Sequence, residues 1–92
     1  PMTISKLTIS LPNAAGLHAR PCHAIVALAL EFECPLRIRF DGRDVNGKSI
    51  LELMTLAAPQ GAQLDLEAQG ADSKACLDRL ESLISSGFGE SS

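Results

Sequence analysis

Apolar and polar residues alternate along three stretches of this chain and recur at helical spacing along others. Lys6-Leu7-Thr8-Ile9-Ser10-Leu11 alternates throughout, which predicts a half-buried strand with Leu7, Ile9 and Leu11 facing inward. The segment from Pro12 to Gly16 reads as a loop. From Arg20 to about Phe32 the spacing predicts a helix, with Pro21 in its first turn and Cys22, Ile25, Val26 and Ala29 on one face. Ala24, Ala27 and Leu28 leave the rest of that helix unusually apolar, so it is either well covered or offers a contact surface. Cys34-Pro35 breaks the pattern, and Leu36 to Phe40 alternates as a second strand. Asp41-Gly42 is a hairpin turn that pairs it with a short third strand, Arg43 to Asn46.

Ser49-Ile50-Leu51-Glu52 has the capping-box form and starts a short helix running to Leu56 or Ala57. Pro59-Gln60-Gly61 ends that element, and Gln63 to Ala68 alternates as the fourth strand. Asp72 or Ser73 caps a last helix whose apolar stripe is Cys76, Leu77, Leu80, Leu83 and Ile84; Gly87 stops it, and the tail after Phe88 is expected to fray. The order is βαββαβα. Alternating strands bury one face of a sheet and wet the other, which antiparallel sheets tolerate and parallel ones rarely do. The helices must then share a face. The expected fold is α+β, an open-faced two-layer sandwich with a four-stranded antiparallel sheet and three helices on one face, formed by a single domain over residues 1–92.

Composition narrows the function classes. The core has no Trp or Tyr to draw on and only three Phe, so Leu, Ile, Val and Ala must fill it. A net charge of −3 argues against nucleic acid, which requires a basic face. Three widely spaced cysteines suggest a reduced, cytoplasmic protein without disulfides. Apolar runs fall short of the roughly 20 residues of a membrane span, so no membrane insertion is expected. The N-terminus lacks a signal-peptide pattern, and Met2, behind Pro1, reads as the natural start.

The most informative segment is Asn13 to Pro21, which sets His18 just ahead of a helix opening with Arg20 and Pro21. A helix N-terminus carries unpaired N–H groups and about half a positive charge. That setting disfavours imidazolium, leaves a neutral nucleophile, and favours a bound phosphoryl dianion. Arg20 adds charge-assisted hydrogen bonds to phosphoryl oxygens, and Gly16 lets the backbone turn sharply beside the ring. On local physics alone, a polar loop histidine beside a surface arginine explains the same residues equally well.

The stretch Gly16-Leu17-His18-Ala19-Arg20-Pro21 resembles the active-centre signature of the HPr family, the histidine-containing phosphocarriers of the bacterial phosphotransferase system. Asn13 fits the same pattern. Gly47-Lys48-Ser49-Ile50-Leu51 with Met54-Thr55-Leu56 resembles the family's regulatory-serine segment, and the similarity runs from about Ile4 to Gly89. The resemblance implies the same element order and a carrier that is not itself an enzyme. It implies that His18 accepts a phosphoryl group on Nδ1 from phosphoenolpyruvate by way of enzyme I and passes it to an enzyme IIA domain, in sugar uptake or regulation. Arg20 becomes the electrostatic partner, and Ala19 sits at the helix cap. Ser49 becomes a candidate for a bifunctional HPr kinase/phosphorylase, beside its plainer role as a helix cap. No cofactor or metal is implied, and a monomer is expected. Cys22 departs from the pattern, where a small residue follows Pro21, and reads as structural; His23 departs too and reads as solvent-facing.

Ile50, Leu51 and Met54 lie on one side of the short helix and Leu53 and Leu56 on the other. So small a helix cannot bury both sets. Leu53 and Leu56 are assigned to the core, and Ile50, Leu51 and Met54 to an exposed docking patch near His18.

Three rival readings remain. Gly42 to Ser49 matches the phosphate-loop pattern G-x-x-x-x-G-K-[ST] literally, but Val45 is needed in a strand and the chain is short for a parallel sheet. His18, Cys22 and Cys34 lack the paired ligand spacing of a zinc site. The ending Ser86-Gly87-Phe88 with a nearby acidic residue is similar to nitrogen-related members of the family. It keeps open a regulatory binding module of a nitrogen-type phosphorelay without sugar transport.

Overall fold

A computed structural model describes residues 3–90, so Met2 and the last two residues lie outside it. The elements are β1 (Ile4–Ser10), α1 (Ala19–Ala29), β2 (Leu36–Phe40), β3 (Arg43–Asn46), α2 (Ile50–Met54), β4 (Gln63–Gln69) and α3 (Ser73–Ser85), followed by a 3₁₀ turn over Gly87–Gly89. The strands form one antiparallel sheet in the order β1-β4-β2-β3.

Alternation sets the two faces. Leu36, Ile38, Val45, Leu64, Leu66 and Ala68 are buried towards the helices, and Leu7 and Ile9 pack on them from the edge. Register stacks these positions, since Leu66 stands opposite both Leu7 and Ile38. The wet face carries charge instead. Asp44 accepts from Arg37 Nε at 2.9 Å and Arg39 Nε at 2.8 Å, and Arg39 also reaches Glu67 at 3.4 Å. Those guanidiniums, Arg39 foremost, hold the Asp44 carboxyl below the usual carboxylate range. Cys22, Ile25, Val26, Leu28 and Ala29 of α1, Leu53 of α2, and Cys76, Leu77, Leu80 and Ile84 of α3 close the core. The architecture is the expected one: three helices over one face of a four-stranded antiparallel sheet.

Several boundaries move by a turn or less, each for a visible reason. Leu11 leaves β1, yet it remains 1% exposed because its N–H donates to Ala62 O and its carbonyl accepts from Gly61. Helix α1 ends at Ala29, not near Phe32; the next bonds, Glu31 N–H to Leu28 O and Phe32 N–H to Ala29 O, tighten to three-residue spacing. Likewise α2 ends at Met54, with Thr55, Leu56 and Ala57 closing the same shorter bonds. The capping box is half formed. Ser49 Oγ accepts from Glu52 N–H at 3.2 Å, but Glu52 Oε1 turns to Asn46 N–H at 3.0 Å.

Asp72 occupies the cap position of α3 but does not cap it with its side chain. Its carboxylate instead accepts the N–H groups of Glu33 at 2.8 Å and Cys34 at 3.2 Å, which ties the α1–β2 connection to the start of α3. These amides, that of Glu33 first, hold the Asp72 carboxyl below its ordinary value. The chain after Phe88 departs from the expectation of fraying as far as Glu90, because Phe88 packs against the core and Glu90 is hydrogen-bonded. Among the described residues no helix is long and apolar enough to cross a membrane.

Candidate functional site

The loop ahead of α1 is built around a buried amide. Asn13, 3% exposed, donates from Nδ2 to Gly16 O at 2.7 Å, while Gly16 N–H returns a bond to Asn13 O at 3.1 Å. Gly16 adopts φ +67 there, and a Cβ on it would stand 2.4 Å from Ala58 O. Only glycine suits both demands. The next residue, Leu17, donates its N–H to that same Ala58 carbonyl at 2.8 Å. The loop is therefore pinned to the segment just beyond α2.

His18 follows in extended backbone, φ −94 and ψ −170, and its carbonyl accepts the first helical bond from Cys22 N–H at 3.1 Å. It is thus the N-cap residue of α1, one position earlier than the resemblance put the cap, and Ala19 begins the helix. Among the described residues no side chain caps this end. The amides of the first turn have no partner within the helix, and Pro21 has no N–H to leave unpaired. The imidazole is 38% exposed and so open to a partner. Arg20 is exposed in the same turn. His18 and Arg20 are together at the positive end of the helix, as the sequence placed them.

Two residues that sequence reasoning did not assign complete the site. Glu90 Oε2 lies 3.1 Å from His18 Nε2, and Glu90 Oε1 accepts from Asn13 Nδ2 at 3.2 Å. Asn13 was legible through the loop motif. Glu90 had only a weak cue, an acid near the chain's end. Asn13 Oδ1 is buried with no partner among the described residues.

Cys22 is fully buried, and burial pushes its thiol up to about 11. It is a packing group, in line with the structural reading, and His23 is exposed as expected. Ser49 is half-buried at the start of α2. In α2, Leu51 is 79% and Met54 44% exposed, while Leu53 and, just beyond the helix, Leu56 enter the core. Ile50 departs from the expected patch: it is partly buried and packed against the core, on the side of α2 away from the exposed Leu51. The phosphate-loop reading of residues 42–49 fails geometrically. Val45 pairs with Ile38 within the sheet, and the space a Cβ would take on Gly47 is filled by Leu36 at 2.5 Å.

The family model described as "PTS HPr component phosphorylation site" matches residues 5–86. The chain is 39% identical over 85 residues to a phosphocarrier protein HPr of Neisseria meningitidis, covering 92% of this chain and 96% of the relative. It is 31% identical over 83 residues to a phosphocarrier protein NPr of Proteus mirabilis, covering 89% and 92%. A solved structure of HPr from Thermoanaerobacter tengcongensis superposes with a TM-score of 0.91 at 38% identity, covering 96% of this chain and 99% of that one.

Proposed function

The chain belongs to the HPr family of phosphotransferase-system phosphocarriers, and on that premise we propose that His18 takes its phosphoryl group from phosphoenolpyruvate-charged enzyme I and hands it to an enzyme IIA domain. The observation that carries this reading is a solvent-accessible imidazole at the N-cap of α1, at a helix end that no side chain among the described residues caps. A phosphoryl group on that ring meets partial positive charge from the amides and the full charge of Arg20. Transfer needs positioning and charge stabilisation more than covalent assistance from the protein. The macrodipole term is modest, about 0.3–1 kcal/mol at exposed sites, so the group is held without being trapped. A carrier depends on that balance.

Docking falls to Leu51 and Met54, with Ile50 contributing its outer edge. Leu17 N–H to Ala58 O joins the end of this segment to the active loop. Ser49 stands at the start of the same helix, where an HPr kinase/phosphorylase would add about −1.5 to −2 charges and repel acidic partners. The protein acts as a cytoplasmic monomer, without cofactor or turnover of its own. The NPr relative favours a second reading, a nitrogen-type phosphorelay without sugar transport.

The test is phosphorylation by labelled phosphoenolpyruvate and enzyme I, with the labelled residue mapped. His18→Ala abolishes labelling; acid-labile phosphate persisting in that variant would reject the assignment. Running the reaction with each type of enzyme I separates the sugar and nitrogen branches by rate.

A further inference from the structure

We propose that Glu90 is a positioning residue for phosphoryl transfer: its carboxylate holds the ring proton of His18 on Nε2 and so keeps the lone pair on Nδ1. The inference rests on the carrier reading above and adds a residue 72 positions away from the histidine.

An ionised carboxylate only accepts hydrogen bonds. Glu90 Oε2 lies 3.1 Å from Nε2, so Nε2 must bring the proton. A neutral imidazole carries one N–H, and its other nitrogen then bears the lone pair. The second carboxylate oxygen is held from behind, by Asn13 Nδ2 at 3.2 Å. Asn13 cannot easily turn its amide over. Its Nδ2 also donates to Gly16 O at 2.7 Å, and reversal would set two oxygens against each other. Glu90 is therefore flanked by donors on both sides. Its side chain is 15% exposed, which limits competition from water.

This arrangement carries the phosphoryl group without moving a proton. The Nδ1 lone pair forms the new N–P bond while the bond from phosphorus to the donor breaks, and that electron pair leaves with the donor. The proton stays on Nε2, and the positive charge that develops on the ring lies against Glu90. When the group departs, the N–P electrons return to Nδ1. The ring is again neutral and still protonated on Nε2, ready for another cycle.

Nitrogen-15 NMR of the full chain labelled in histidine tests this directly, with the exposed His23 as an internal reference. The two ring shifts of His18 in the unaltered protein are expected to report the Nε2–H form. Glu90→Gln is the discriminating variant. Its amide keeps size and shape but must present N–H either to the ring or to Asn13, both of which already donate. Presented to the ring, it favours the Nδ1–H form and removes the nucleophile. The rate of labelling by enzyme I is expected to fall about tenfold in Glu90→Gln, at least as far as in Glu90→Ala. A residue with a merely structural role would tolerate the isosteric amide better than the truncation. An Nδ1–H ring in the unaltered protein, or an unchanged tautomer ratio or rate in Glu90→Gln, overturns the proposal. Failure of the carrier reading looks different: no label then reaches His18 in the unaltered protein, whatever its tautomer.

Discussion

Replacing Gly16 with alanine should damage stability and the site together, and Gly61→Ala supplies the control. Both glycines have positive φ, +67 and +85, but a Cβ on Gly61 meets open space whereas one on Gly16 meets Ala58 O at 2.4 Å and Pro59 Cα at 2.9 Å. The left-handed backbone alone costs an alanine about 1–2 kcal/mol, partly offset by about 0.4–1 kcal/mol from a less flexible unfolded chain. Gly61→Ala should therefore lose only about 1 kcal/mol. At Gly16 the obstacle is backbone, and the carbonyl that must retreat is the one holding Leu17 N–H at 2.8 Å. Breaking that bond where neither group reaches water adds on the order of 2 kcal/mol. The total for Gly16→Ala is about 3 kcal/mol, or a fall in Tm of about 15 °C for a domain of this size. Urea and thermal denaturation of the two variants, followed by circular dichroism, measure the difference. Equal losses at Gly16 and Gly61 would refute the argument that close approach to residues 58–59 positions the loop.

Three further outcomes follow from particular contacts. Burial pushes the Cys22 thiol up to about 11 and the Cys76 thiol up to about 12, against 9.0 in the unfolded chain. Above pH 9 the unfolded state thus holds fewer protons than the folded one, and stability falls as pH rises from 9 towards 11. The slope is on the order of 1.4 kcal/mol per pH unit for each thiol, to be read from urea midpoints and flattened in Cys76→Ala. Ser49→Ala removes the acceptor for Glu52 N–H and should cost about 1 kcal/mol in denaturation; Ser49→Asp keeps a capping acceptor and the fold but weakens binding to enzyme I by calorimetry. Leu51→Asp, at a 79% exposed position, should leave stability within about 0.5 kcal/mol while lowering enzyme I affinity about tenfold; unchanged affinity removes Leu51 from the docking surface.

Periodicity made the sheet legible. Alternation from Leu36 to Phe40 and from Gln63 to Ala68 marks each residue's face directly, and the observed burial follows it. The placement of His18 and Arg20 at the start of α1 was legible because it is local, with the residue, the helix start and the proline within four positions; their role came from the resemblance and not from cap chemistry. Glu90 was not, since its contact with His18 joins opposite ends of the chain and no periodic pattern encodes it. Ile50 misled for a related reason. Helical spacing sorts side chains into faces but does not say how far a short helix rolls against its neighbours. Asp72 fits the local rule for a cap, yet two backbone amides of a distant turn offered its carboxylate better partners.

The strand order leaves β1 and β3 as the open margins of the sheet. Unpaired sheet margins invite stacking between copies of a chain. β3 is four residues long and begins with exposed Arg43 and Asp44, while β1 places exposed Lys6 mid-strand. Short length and charge at a margin discourage edge-on growth of the sheet into neighbouring molecules.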